Sequence, residues 1–196
     1  MNDTPNPPEA RRNRTALVVV VVLFFGSMLG AGILRFSGWQ PQGSRSHGTL
    51  VDPPLDLREL APSLAGGGSY EWNPGARTWR ILLAPPAGCG ERCARAAVDY
   101  DKVWRLMGRR ADRVDILWLC TDAECVVPAP LGQDRSLRRL AADPDWRARL
   151  PGVDEASADG FPVYLVDPNG FLMMRYPPGA DVGGVREDIA KLLKLI

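Results

Sequence analysis

The chain has 196 residues, 45% of them hydrophobic, and 24 Lys and Arg stand against 23 Asp and Glu. That length fits one globular domain plus an extra segment, and the balanced charge excludes an electrostatic nucleic-acid binder. Four cysteines, an even count, allow two disulfides in an oxidising compartment and point to metal or redox chemistry in a reducing one, so the compartment has to be settled first.

Residues 1–14 are polar and close on Arg11, Arg12 and Arg14; a charge-free run from Thr15 to Leu34 follows. As a helix, about 20 residues span roughly 30 Å, enough to cross a bilayer. A signal peptide would have a shorter apolar region and a small-residue cleavage site, whereas this run passes into Arg35-Phe36-Ser37-Gly38-Trp39. Trp39 suits the membrane interface, and the arginines before the span place the N-terminus in the cytoplasm. The expected organisation is a cytoplasmic tail (1–14), an inner-membrane anchor (15–38), a periplasmic linker (39–68) and a domain (69–196). In a bacterium the domain then faces an oxidising space in which cysteines cycle or bridge.

The linker reading rests on Pro41, Gly43, Pro53, Pro54, Pro62 and Gly66-Gly67-Gly68, which suit a tether laid partly along the domain. It contains His47, the only histidine. Ser69–Trp72 is a candidate short strand, turned at Asn73-Pro74-Gly75 into an apolar strand from Thr78 to Ala84, with Trp72 and Trp79 packing near each other. That strand breaks at Pro85-Pro86 and restarts as a helix from about Gly90 to Arg109. Cys89 is placed at the N-cap or first turn, where free N–H groups and the helix dipole favour a thiolate. Cys93 follows one turn later, within reach of a disulfide or a shared soft metal ion. The plainer alternative is a pair of buried helix cysteines, since both begin the stripe Cys89, Cys93, Ala97, Tyr100, Trp104, Met107.

The near-continuous apolar segment Arg113–Cys120 predicts a second strand buried on both faces, completing a right-handed βαβ unit. Cys120 and Cys125 close it, with a local disulfide or a second redox pair both open. Asp134–Leu140 reads as a helix opening at an acidic cap, and Pro144–Leu150 as another. Phe161–Tyr176 reads as a hairpin turned at Asp167-Pro168-Asn169-Gly170, with Pro162 opening its first strand. A closing helix over Val182–Ile196 has the stripe Val185, Ile189, Leu192, Ile196. Met173 and Met174 are expected on opposite faces of their strand and are candidate copper ligands.

A βαβ unit with a thiol pair where strand meets helix, then a proline-initiated hairpin and a final helix, resembles the thioredoxin fold over about residues 69–196. The fold class implied is α/β, a central sheet with flanking helices, preceded by one transmembrane helix. The anchor, the Cys89-x3-Cys93 spacing and Tyr164-Leu165-Val166-Asp167-Pro168-Asn169-Gly170 resemble the Sco/SenC family of copper-delivery and thiol-redox factors for cytochrome c oxidase. His47-Gly48-x-Leu50 and Leu172-Met173-Met174-Arg175-Tyr176-Pro177 are similar to small membrane-anchored thioredoxin-like proteins encoded beside bacterial oxidase genes. Sco proteins bind copper through both cysteines and a histidine, but here the corresponding stretch is Ala158-Asp159-Gly160-Phe161-Pro162. The resemblance instead puts Pro162 at the cis-proline place of thioredoxins, with Phe161 bordering the substrate.

Three functions follow. In the first, Cys89 attacks a partner disulfide and Cys93 resolves it, as a thiol–disulfide oxidoreductase for the copper-binding cysteines of oxidase subunit II. The second is a copper(I) carrier using Cys89 and Cys93, with a third ligand from His47 or a methionine; no cofactor is required in the first. The third is a non-catalytic assembly scaffold with a static disulfide.

Overall fold

The computed structural model describes residues 7–37, 46–59, 61–155 and 157–195, and the apolar run lies inside a single helix, α1 (Pro7–Phe36). Its segment Asn13–Phe36, 24 residues of mean hydropathy 2.7, is long and apolar enough to cross a membrane. The helix begins ahead of the expected anchor because proline is well placed in a first helical turn. Trp39 and Arg45 lie outside the described residues. The chain divides into two compact units, Met1–Arg45 and Ser46–Ile196.

In the second unit six strands form one sheet in the order β1-β6-β5-β2-β3-β4. They are β1 (Thr49–Asp56), β2 (Trp79–Leu83), β3 (Val114–Leu119), β4 (Leu137–Leu140), β5 (Val163–Val166) and β6 (Phe171–Tyr176). Strands β2, β3 and β4 run parallel, while β5 and β6 close as an antiparallel hairpin beside β2. Between them lie α2 (Glu91–Leu106) and α3 (Pro144–Ala148), and α4 (Val182–Leu192) ends the chain.

Central strands β2 and β5 are buried throughout, as sequences apolar at every position but Arg80 predict. Period-two alternation divides them between two layers. Ile81, Leu83, Ile116 and Leu165 pack with Ala97, Tyr100 and Val103 of α2 and with Val185 and Ile189 of α4. Leu82, Leu117, Tyr164 and Val166 pack instead with Leu57, Tyr70, Trp146 and Leu150.

Four local expectations are corrected. The stretch Thr49–Asp56, read as linker, is an edge strand pairing with β6, with a register shift between Leu50 and Leu55. Prolines 53 and 54 fit there because an edge strand or bulge needs fewer N–H donors. The stretch Asp134–Leu140 ends as strand β4 rather than as a helix. The Asp134 carboxylate accepts from the Ser136 N–H and hydroxyl (2.8 Å each), and the chain then satisfies the free edge of buried β3. Ser69 makes only a bridge to Ser63, and Trp72 packs over Arg80 in the layer opposite Trp79. In β6, Leu165 pairs with Met174 and Val166 with Leu172, so Met173 is an extra, bulged residue. The bulge re-aims its neighbours: Leu172 faces one layer, while Met173 and Met174 both pack with the other. Leu193 takes the last core position of the closing stripe; Ile196 lies outside the described residues.

One buried polar network escapes the apolar reading of β2. Arg80 donates through Nε to the Tyr70 hydroxyl (2.9 Å) and through Nη1 to the carbonyls of Asp167 and Pro168 (2.9 and 3.0 Å). Tyr70 in turn donates to Asp115 Oδ2 (2.8 Å). Burial, then the nearby Asp115 charge, pushes the Tyr70 hydroxyl up to about 12, and burial does the same for Tyr164. A raised folded-state value means the unfolded chain sheds these protons first. The stabilisation is therefore complete below the ordinary value of 10.0 and is lost as pH rises towards about 12. Equilibrium unfolding followed between pH 8 and pH 12 is expected to show stability level to about pH 10 and then falling by about 1.4 kcal/mol per unit for each such tyrosine. Stability independent of pH across that upper window contradicts the burial argument.

Candidate functional site

Because β2 and β3 are parallel neighbours, the segments that follow them emerge at the same end of the sheet. After β2 the chain turns through Pro85 and Pro86 to Cys89, held between Gly88 (φ 64°) and Gly90 (φ 46°). Both glycines adopt left-handed backbone that other residues avoid. Gly90 is the N-cap of α2 and Glu91 its first residue, so Cys89, expected at the N-cap or in the first turn, lies one position ahead of the cap. Its carbonyl accepts from the Arg92 N–H (3.0 Å).

Cys89 and Cys93 are joined in a disulfide with a Cα–Cα separation of 5.5 Å. Cys93 is buried on the inner face of α2 and Cys89 is half-buried. The stripe reading and the redox reading thus meet in one pair, with one sulfur in the core and one at its rim. The α2 N-terminus presents free N–H groups and positive dipole beside both positions, an environment that stabilises a thiolate once the bond opens.

Cys120 and Cys125 form a second disulfide, Cα–Cα 5.1 Å. Cys120 is fixed at the end of β3, where its N–H donates to the Leu140 carbonyl (3.0 Å). Cys125 sits in the loop at φ 45°, its N–H donating to Asp122 Oδ1 (3.0 Å). A pocket of ≈ 240 Å³ is lined by all four cysteines together with Trp118 and Asp122. In the sequence the two pairs are separate local features. The signal that joins them was present in the βαβ unit, since parallel strands end on the same side.

The other expected site residues lie elsewhere. Phe161 and Pro162 are buried. Phe161 packs edge-to-face on Trp118 (centroids 6.3 Å apart) and lines a separate groove of ≈ 160 Å³ with Arg92, Arg95, Asp99 and Asp159. It therefore reaches the thiol pocket through Trp118 rather than directly. Among the described residues the cis peptides are at Asp52–Pro53 and Ala129–Pro130, so the bond before Pro162 is trans. A strand-opening proline needs no cis bond, because its missing N–H falls outside the ladder.

His47 stands at the start of β1, separated from β2 by three strand spacings, about 14 Å. Its backbone N–H and that of Gly48 donate to the buried Asp188 carboxylate (2.7 and 3.2 Å), and its ring lies 3.3 Å from Glu187. Met173 and Met174 do not line the thiol pocket. Among the described residues no group of three or more His, Cys, Asp or Glu side chains is arranged to hold a metal ion. Of the soft donors expected for copper(I), the pocket contains only cysteines.

Among solved structures, the bacterioferritin comigratory protein of Xanthomonas campestris matches with a TM-score of 0.50 and 17% identity, covering 76% of this chain and 99% of its own. A protein from Aquifex aeolicus VF5 matches at 0.50 and 14%, covering 69% and 93%. The copper-bound ScoI of Bradyrhizobium japonicum matches at 0.45 and 19%, covering 76% and 98%. A comparison with curated proteins gives no match. The first two likenesses establish the thioredoxin-like architecture that the thiol pair and hairpin implied. Residues 79–196, from β2 through α4, match the family described as transmembrane-like, thioredoxin-like, C-terminal domain, and to that family this chain belongs.

Proposed function

We propose that this protein is a membrane-anchored thiol–disulfide redox factor whose exchanging pair is Cys89–Cys93, held on the periplasmic side of a bacterial inner membrane by α1. The observation that carries this reading is the Cys89–Cys93 disulfide at the start of α2, with Cys89 at the rim of a solvent-connected pocket. Arginines ahead of the span support the orientation. The partner we infer is the copper-binding cysteine pair of cytochrome c oxidase subunit II, which must be reduced before metal enters. Copper is then cargo of the partner. As a carrier of Sco type this chain lacks the histidine, since the corresponding stretch is Ala158-Asp159-Gly160-Phe161-Pro162, and its one histidine, His47, is held by α4.

The test replaces both residues together, Cys89→Ser and Cys93→Ser, in cells that assemble the oxidase. Oxidase activity and copper content of subunit II are expected to fall severalfold and to recover when an external dithiol is supplied. Unchanged oxidase would reduce the domain to a scaffold with a static disulfide. Loss without dithiol rescue would favour copper delivery.

A further inference from the structure

We propose that Cys120–Cys125 is a second, inner redox pair that exchanges its disulfide with Cys89–Cys93 across the pocket they share. The inference rests on the redox reading of the outer pair and extends it: the domain relays electrons to, or stores them in, a pair that no protein partner reaches directly.

Three observations support the relay. All four cysteines face one pocket, and they are all the cysteines of the chain. Exposure sets an order of access, because Cys89 is half-buried at the rim whereas Cys120 and Cys125 are 3% and 5% exposed. A macromolecular partner therefore meets the outer pair first. The third observation concerns what the inner bond is for. It joins residues five apart, and closing so short a loop removes less chain entropy than a long-range bridge would, so stapling alone does not account for it. Within that closed loop Cys125 sits in left-handed backbone (φ 45°), a conformation that residues with a Cβ avoid. Opening the bond frees the 121–126 loop from the strand end and lets the Cys125 sulfur move within the pocket.

The exchange balances internally. A partner dithiol first reduces the outer pair and leaves as a disulfide. The Cys89 thiolate then attacks Cys125 Sγ; a Cys89–Cys125 bond forms, the Cys120–Cys125 bond breaks, and Cys120 takes up the proton that Cys89 released. The Cys93 thiolate attacks Cys89 Sγ, restoring the Cys89–Cys93 bond, and Cys125 departs as a thiol with the proton from Cys93. Two electrons and two protons pass from the outer pair to the inner, and the outer pair is ready for a second partner dithiol. Run backwards, the same steps oxidise the inner pair.

The test incubates the oxidised full-length chain, in detergent, with thioredoxin kept reduced by its reductase and NADPH, then alkylates and weighs it. The wild type is expected to gain four alkyl groups, the Cys120→Ser/Cys125→Ser variant two, and the Cys89→Ser/Cys93→Ser variant none over the same time. Two groups on the wild type would overturn the relay and leave the outer redox pair standing. No groups on either the wild type or the first variant would overturn both. Reduction of the second variant at the wild-type rate would show the inner pair open to partners and end the relay. Independently, mild oxidation of the Cys93→Ser/Cys120→Ser variant is expected to yield a Cys89–Cys125 cross-linked peptide. Two free thiols there would contradict the proposed intermediate.

Discussion

Replacing Cys89 by serine is expected to abolish exchange with a disulfide substrate, lowering the protein-dependent rate at least ~100-fold, because a hydroxyl at neutral pH supplies no comparable nucleophile. Cys93→Ser is expected to behave differently. The rim thiol survives in that variant and still attacks, but the buried sulfur that should expel the substrate is gone, so turnover stops with a mixed disulfide in place. The asymmetry follows from the fold: Cys89 lies in the turn before the helix cap, and Cys93 is buried one turn into α2. Non-reducing electrophoresis with a model disulfide protein distinguishes the two, showing a covalent adduct for Cys93→Ser and none for Cys89→Ser. The reverse pattern would make Cys93 the attacking residue and contradict the access order on which the mechanism depends.

The second large effect is on stability. Arg80 is only 1% exposed and ties β2 to two other segments: Tyr70 before β2, and the carbonyls of Asp167 and Pro168 in the β5–β6 turn. Its guanidinium also lies 5.3 Å from the Trp72 ring and 5.6 Å from the Tyr70 ring. Arg80→Ala takes the side-chain donor from the buried Pro168 carbonyl and from the Tyr70 hydroxyl, leaves the Asp167 carbonyl with the Gly170 N–H alone, and opens a space the size of the lost side chain. The expected cost is about 3–5 kcal/mol, which lowers the melting temperature of a domain this size by roughly 10 °C. Arg80→Lys should recover only part, since an ammonium cannot copy the planar fork that serves a hydroxyl and two carbonyls. Thermal unfolding followed by near-ultraviolet circular dichroism measures the loss. Arg80 lies near the start of β2 and Cys89 beyond its end, so exchange activity at low temperature should be unchanged in both variants.

These two cases show what was legible in the chain. The thiol pair, the βαβ unit and the hairpin were readable because each depends on local signals: Pro85-Pro86 breaking a strand before a helix, continuous apolar strands, and Asp167-Pro168-Asn169-Gly170 at a turn. What was hidden depends on partners distant in sequence. Thr49–Asp56 looks like linker because of its prolines, and becomes a strand only because β6 offers an edge. Leu137 and Leu140 have helical spacing, yet the free edge of β3 draws them into β4. Arg80, alone in an apolar strand, was a visible sign of a buried polar network, but Tyr70, Asp167 and Pro168 are supplied by two other segments. The same holds for the pocket: each cysteine pair is local, and only the parallel pairing of β2 with β3 brings them together.

The proposed function requires Cys89–Cys93 to be a working redox couple. The most direct measurement equilibrates the full-length chain in thiol–disulfide buffers of graded potential and reads the Cys89–Cys93 state by alkylation and peptide mass. Reversible reduction is expected, with a midpoint above roughly −300 mV, the level below which structural disulfides of secreted proteins resist the glutathione pool. A bond still intact well below that level would contradict the account and leave the pair a structural staple.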